Sequence, residues 1–146
     1  VVIHRDVHLG IAADTPRGLL VPAIKGASSL DMVELARRIQ SATDTARAGR
    51  STPADLTGST ISITNVGVFG VDGGTPILTP GQTAILCMGR VIERPWVIDG
   101  QVVARPVMTV ALSFDHRVID GGLGSLALQS VATFLADPAL ELFLDR

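Results

Sequence analysis

Between two groups of strand-like segments lies one stretch, Asp31 to Ala48, whose pattern only a helix can satisfy. Val33, Leu35, Ala36, Ile39, Ala42 and Ala46 fall near helical spacing, Asp31 and Glu34 resemble a capping box, and Gly49 stands where the helix must stop. A helix of this length among short strands excludes an all-β sandwich and requires a sheet covered by helix.

Upstream, His8 to Ala13 and Leu19 to Lys25 are short apolar stretches joined by Asp14-Thr15-Pro16-Arg17-Gly18, which predicts a pair of strands and a tight connection. Downstream, Thr52-Pro53-Ala54-Asp55 predicts one short turn. Ser59 to Val66 alternates Ile61 and Ile63 with hydroxyl residues, so Thr60, Ser62 and Thr64 share one face, a polar stripe for a core strand. Gly67 to Gly81 is rich in Gly and Pro and reads as a long functional loop, followed by strand-like Thr83 to Ile92. Trp96 to Ile98 and Gln101 to Ala104 flank the hairpin dipeptide Asp99-Gly100. Val107 to Phe114 is the last strand, and Leu123 to Leu135 reads as an amphipathic helix that stops before Pro138. These elements add up to an α/β fold on a mixed, largely antiparallel sheet packed by helices.

Composition bounds the function. With 47% apolar residues in 146, the chain can bury one sizeable core, so residues 1–146 read as one domain. Twelve basic against 14 acidic residues leave no electrostatic footprint for nucleic acid or an anionic membrane. The apolar runs are far shorter than the roughly 20 residues that cross a bilayer. Cys87 has no partner for a disulfide and reads as a small buried hydrophobe between Leu86 and Met88. His4 and His8 have no cysteine or carboxylate cluster nearby, so no metal site is expected. The glycines at 67, 70, 73 and 74 lack the spacing of a dinucleotide loop, and Thr75-Pro76 follows where a helix would be needed. Eleven of the 12 basic residues are arginine, which reads as the codon usage of a GC-rich bacterium. The chain opens at Val1 in an element already under way, and is expected to be a piece of a longer protein truncated on its N-terminal side.

The chemistry concentrates in Ser113-Phe114-Asp115-His116-Arg117-Val118-Ile119-Asp120-Gly121-Gly122. This segment resembles the dihydrolipoamide acyltransferase cores of the 2-oxo-acid dehydrogenase complexes, within the chloramphenicol acetyltransferase-like superfamily, whose signature is a His, three residues, an Asp and a Gly. The resemblance extends to Gly18-Leu19-Leu20-Val21-Pro22, Ile63-Thr64-Asn65 with Gly67 and Gly70, Thr75-Pro76-Ile77, Ala84-Ile85-Leu86 and the Asp99-Gly100 hairpin. It implies a two-layer sandwich and transfer of an acyl group between dihydrolipoamide and coenzyme A. Thioester exchange needs a base to take the proton of a thiol with an ordinary pKa of about 8.5, and an imidazole near 6.5 suits both directions. It also needs a donor for the charge that builds on the thioester oxygen.

By the resemblance, His116 is the general base, Thr64 the oxyanion donor, and Asp120 the residue that steadies the His116 loop. Val68, Phe69 and Val71 are implied to line the acyl pocket, and Gly121 and Gly122 to let the next helix approach. Thr64 could instead be an ordinary strand residue, Asp120 a helix N-cap, and Arg117 a partner for an acidic neighbour. Gly67-Val68-Phe69-Gly70 looks like succinyl-type members, yet Val71, Gly74 and Gly89 stand where such members tend to carry hydroxyl or imidazole groups. Asp72, the only charge in the loop, is expected to repel a carboxylate, which favours a small apolar or branched-chain acyl group over succinyl. Further implications are a homotrimer with active sites between subunits that assembles into a larger core, and partnership with 2-oxo-acid decarboxylase and dihydrolipoamide dehydrogenase components. A separate lipoyl domain would supply the lipoyl group, in a bacterial cytoplasmic setting. The alternatives are another acyltransferase of the superfamily, where a second His usually stands at the position of Asp115, or a structural core component with impaired catalysis.

Overall fold

The computed structural model describes residues 2–136. Strands β1 (Leu9–Ile11), β2 (Ala13–Thr15), β3 (Gly18–Leu20) and β4 (Ala23–Ile24) precede helix α1 (Met32–Arg47). Strands β5 (Ile61–Asn65), β6 (Ala84–Met88), β7 (Ile92–Ile98), β8 (Gln101–Val107) and β9 (Val110–Phe114) follow, and then helix α2 (Gly121–Ala136). The expected stop at Pro138 lies outside the described residues.

The first expected pair of strands is four. The main sheet runs β4-β1-β5-β6-β9, while β2 and β3 leave it as a separate hairpin. The split falls at Ala12, whose N–H donates to Ile63 O at 2.9 Å, and at Pro22, which is buried and has no N–H to continue a ladder. α1 packs against β2 and β4 and buries Thr43 and Ala46. Its N-terminus is held by half a capping box: Asp31 Oδ1 accepts from Glu34 N–H at 2.7 Å. The Glu34 carboxylate accepts instead from Arg37 and Arg38, which pull its pKa down to about 2.

Four of the six strand pairings among the described residues are antiparallel, and both parallel ones involve β5. A parallel neighbour requires a long crossover. One crossover, from β1 to β5, contains α1. The other, residues 66–83, joins β5 to β6 with only a 3-10 turn at Gly67–Phe69. β6 is accordingly covered on both faces, with Ala84, Ile85, Leu86 and Cys87 all buried, as a continuous apolar run in a parallel pair should be.

The strand expected over 83–92 breaks at Gly89. A Cβ on Gly89 would run into the backbone of Asp72, and the next amide, Arg90 N–H, donates to Val71 O at 2.9 Å. The chain thus leaves β6 to pin the crossover loop. β7 and β8 form a two-stranded ribbon closed by Asp99 and Gly100, both at positive φ, as a two-residue hairpin demands. Val107 ends β8 rather than starting β9. α2 packs on β9 through Gly124, where a Cβ would lie 2.6 Å from Phe114 Cε1; Gly121 meets nothing within 4 Å and Gly122 only Asp120 Oδ1. The expected close approach exists, but one turn further along the helix. No helix among the described residues is long and apolar enough to cross a membrane.

Candidate active site

His116 stands on a tight turn just past β9. Asp115 N–H donates to Thr83 O at 2.9 Å, which fastens the turn to the segment before β6. Asp115 O accepts from the N–H groups of Val118 and Ile119 at 2.9 and 3.0 Å. The Asp115 carboxylate accepts from the Arg117 N–H at 3.0 Å and from its guanidinium at 2.6 Å, which holds the carboxyl at about 2. Arg117 therefore pairs an acidic neighbour, as one reading of the sequence had it. The His116 ring leans on Phe114, centroids 5.8 Å apart and planes tilted by 43°, and the residue is exposed.

Asp120 caps α2: its Oδ1 accepts from Leu123 N–H at 2.7 Å and its carbonyl from Gly124 N–H at 3.0 Å. It steadies the turn by fixing where the helix begins. Asp115 performs the more direct anchoring, a role the sequence reading did not assign. The only signal was an Asp and an Arg two residues apart around the histidine.

Thr64 belongs to the other end of the sheet. It is half-buried near the end of β5 and lines a cavity of about 400 Å³ together with Ala12, Leu19, Val21, Ser62, Val66 and residues 74–77, Thr79, Ile85 and Cys87. Among the described residues, no charged side chain lines it. Asn65 Oδ1 accepts from Gly67 N–H at 2.9 Å and so bends the chain out of β5, and Gly67 packs against the backbone of Gly89 and Arg90 where a Cβ would not fit. Val68, Phe69 and Val71 are exposed and are not among the residues lining this cavity. Its wall is formed instead by Val66 and by the stretch that starts at Gly74.

Asp72 does not present a free charge. Arg90 and Arg94 both donate to its carboxylate, at 2.5 Å each, and hold its pKa below the ordinary value. The expected repulsion of a carboxylate by Asp72 loses its basis, because two guanidinium groups outweigh one carboxylate.

One chain does not bring His116 and Thr64 together. Thr64 pairs with Cys87 and Cys87 with Ala111, so Ala111 is the residue of β9 level with Thr64. β9 then runs three residues to Phe114, level with the start of β6, before the His116 turn begins. Two strand spacings of about 4.8 Å across and more than three residues of about 3.4 Å along put the two residues on the order of 15 Å apart.

The family model described as 2-oxoacid dehydrogenases acyltransferase (catalytic domain) matches residues 1–143. The chain belongs to this family. It is 44% identical over 138 residues to the dihydrolipoyllysine-residue succinyltransferase component of the 2-oxoglutarate dehydrogenase complex of Haemophilus influenzae, covering 94% of this chain and 34% of that protein. This acyltransferase-family fold superposes on a dihydrolipoamide acetyltransferase of Azotobacter vinelandii with a TM-score of 0.85 at 32% identity, covering 97% of this chain and 58% of the other. That structure comes from an investigation of a serine, a histidine and an asparagine in the enzyme's catalytic mechanism. The cubic core of a pyruvate dehydrogenase multienzyme complex matches with a TM-score of 0.84 at 31% identity, covering 95% of this chain and 57% of the other. The chain therefore spans about a third of the first curated relative's length and somewhat over half of these solved chains.

Proposed function

We propose that this chain is part of an acyltransferase catalytic domain that moves an acyl group between dihydrolipoamide and coenzyme A. The observation that carries the reading is a spacing. In the Azotobacter enzyme the serine precedes the histidine by 52 residues and the asparagine follows it by four. Thr64 precedes His116 by 52 residues here, and Asp120 follows it by four. The same three positions thus hold a hydroxyl, an imidazole and a side chain that caps a helix.

In this reading His116 accepts the proton of the attacking thiol and returns it to the departing one. The Thr64 hydroxyl donates to the thioester oxygen as it gains charge. Asp120 and Asp115 position the turn and take no proton. Because His116 and Thr64 lie at opposite ends of one sheet, the working site pairs the imidazole of one subunit with the threonine of its neighbour. That geometry suits a trimer assembled into a larger core, served by a lipoyl domain and by decarboxylase and dihydrolipoamide dehydrogenase components.

Relatives include both succinyl- and acetyltransferases. The uncharged lining of the cavity supports an uncharged acyl group, acetyl or a short branched chain, since a succinyl carboxylate would be buried there without a cation. Val68 and Phe69, exposed in the single chain, are free to line the passage to the cavity once a neighbour is present.

The deciding experiment is thiol exchange by the full-length protein with His116→Ala. Loss of the base is expected to lower kcat by a factor of about 10² to 10⁴. Unchanged turnover would overturn the assignment of His116 and favour a structural core whose catalysis resides elsewhere.

A further inference from the structure

The hydrogen bonds of the turn past β9 fix where His116 stands and leave open where its ring points. Asp115 N–H is tied to Thr83 O, and Asp115 O to the N–H groups of Val118 and Ile119. These bonds place the His116 backbone, but an exposed imidazole still turns about two side-chain torsions. What the ring rests on decides between those orientations. That support is Phe114, with ring centroids 5.8 Å apart and planes tilted by 43°, inside the range in which aromatic rings attract one another.

Phe114 is itself held from the other side. It is the last residue of β9, level with Ala84 of β6, and α2 packs against β9 at this point. A Cβ on Gly124 would lie 2.6, 2.9 and 3.1 Å from Cε1, Cζ and Cδ1 of the ring, so glycine leaves a notch in the helix that any other residue would close. Gly124 is buried, and its N–H donates to Asp120 O at 3.0 Å in the turn that Asp120 caps through Leu123 N–H. The cap sets where the helix begins, the beginning of the helix sets the notch, and the notch sets the phenyl ring. Asp120 is thereby linked to His116 through Gly124 and Phe114.

We propose that Phe114 is a positioning residue, its ring wedged between the Gly124 notch and the His116 imidazole so that the base is held in one orientation before the thiol arrives. The proposal rests on the reading of His116 as the base. Such preorganisation acts on the chemical step rather than on binding, because a base that spends less time aimed at the thiol takes its proton less often. A smaller apolar side chain can sit in the notch, but it gives the imidazole no flat face to rest on.

The test measures acyl transfer from acetyl-coenzyme A to dihydrolipoamide by the full-length protein carrying Phe114→Leu. kcat is expected to fall about five- to tenfold with KM unchanged. Unchanged kcat would overturn the proposal and mean that the neighbouring subunit orients the imidazole; a loss carried by KM would overturn it too. Adding Gly124→Ala to Phe114→Leu refills the notch without restoring a ring, so kcat is expected to stay low. Return of kcat to the wild-type value in that double variant would reduce the ring to a filler of space. In a His116→Ala background, Phe114→Leu is expected to cause no further loss of the residual rate, whereas the same five- to tenfold loss there would show that Phe114 acts by another route. His116→Ala by itself tells the two readings apart. Full activity in it removes the base and the positioning role together, while its expected loss beside an unimpaired Phe114→Leu removes the positioning role alone.

Discussion

The two ends of the β5-β6-β9 sheet are built on opposite terms. At the His116 end, the polar groups of Asp115 and Asp120 are already satisfied within the chain, and the imidazole is left outermost on a fastened turn. At the Thr64 end the chain lines an open cavity and, among the described residues, leaves the buried Ser62 hydroxyl unpaired. In the proposed reading one end presents a reacting group and the other receives one. In that reading a single copy holds both halves of the chemistry and cannot join them, which is the physical reason for proposing a site shared between subunits.

The strongest way to break this comparison is subunit complementation. Thr64→Val removes the proposed oxyanion donor and is expected to lower kcat by about 10²-fold or more. Co-assembling Thr64→Val with His116→Ala subunits should then restore activity at interfaces where an intact His116 meets an intact Thr64, roughly a quarter of interfaces in randomly mixed trimers. Recovery shows that the two ends meet across subunits. Mixed assemblies as inactive as either parent would place both residues in one chain's site and remove the contrast.

A smaller effect sharpens the account of the His116 end. Asp120→Ala deletes the cap of α2 and is expected to cost about 1 kcal/mol of stability, read from denaturant unfolding. Asp120→Asn keeps an oxygen for the Leu123 N–H and should retain most of both stability and turnover, if the residue acts as proposed by positioning the turn without handling a proton. A large loss of kcat in Asp120→Asn with stability intact would assign its charge a part in the reaction.

The smallest effect concerns pH. Arg117 holds the Asp115 carboxyl at about 2. A carboxyl depressed on folding stabilises the native state above its ordinary value and loses that contribution as pH falls through the folded one. The fastened turn should therefore keep its thermal stability from neutral pH down to about pH 4 and loosen between about pH 4 and pH 2. In Asp115→Asn the acid step should vanish and the melting temperature at neutral pH should be lower, because the contribution of the paired carboxylate is gone at every pH. A step at pH 6 in the wild type that vanishes with Asp115→Asn would contradict the pairing with Arg117.

Much of this architecture is set by local sequence. The capping residue and period of α1, the Asp99-Gly100 hairpin, the apolar run of β6 and the strand before His116 each depend on neighbours within a few residues, and each formed, although β6 stops at Met88 and the last strand starts only at Val110. Motif and spacing single out His116, Thr64 and Asp120 as the set proposed for the chemistry. What the sequence could not decide were effects of distance. The chain kinks at Pro22, breaks at Gly89 and approaches at Gly124 because remote backbone arrives there. Asp72 lost its meaning as a free charge only when Arg90 and Arg94 folded onto it, and Ser62 became distinct from Thr60 only when His8 took one hydroxyl and, among the described residues, left the other unpaired. Periodicity records which face a side chain occupies; only the tertiary structure decides which atoms share that face, because hydrogen bonds and ion pairs are settled over a few ångströms between residues far apart in the chain.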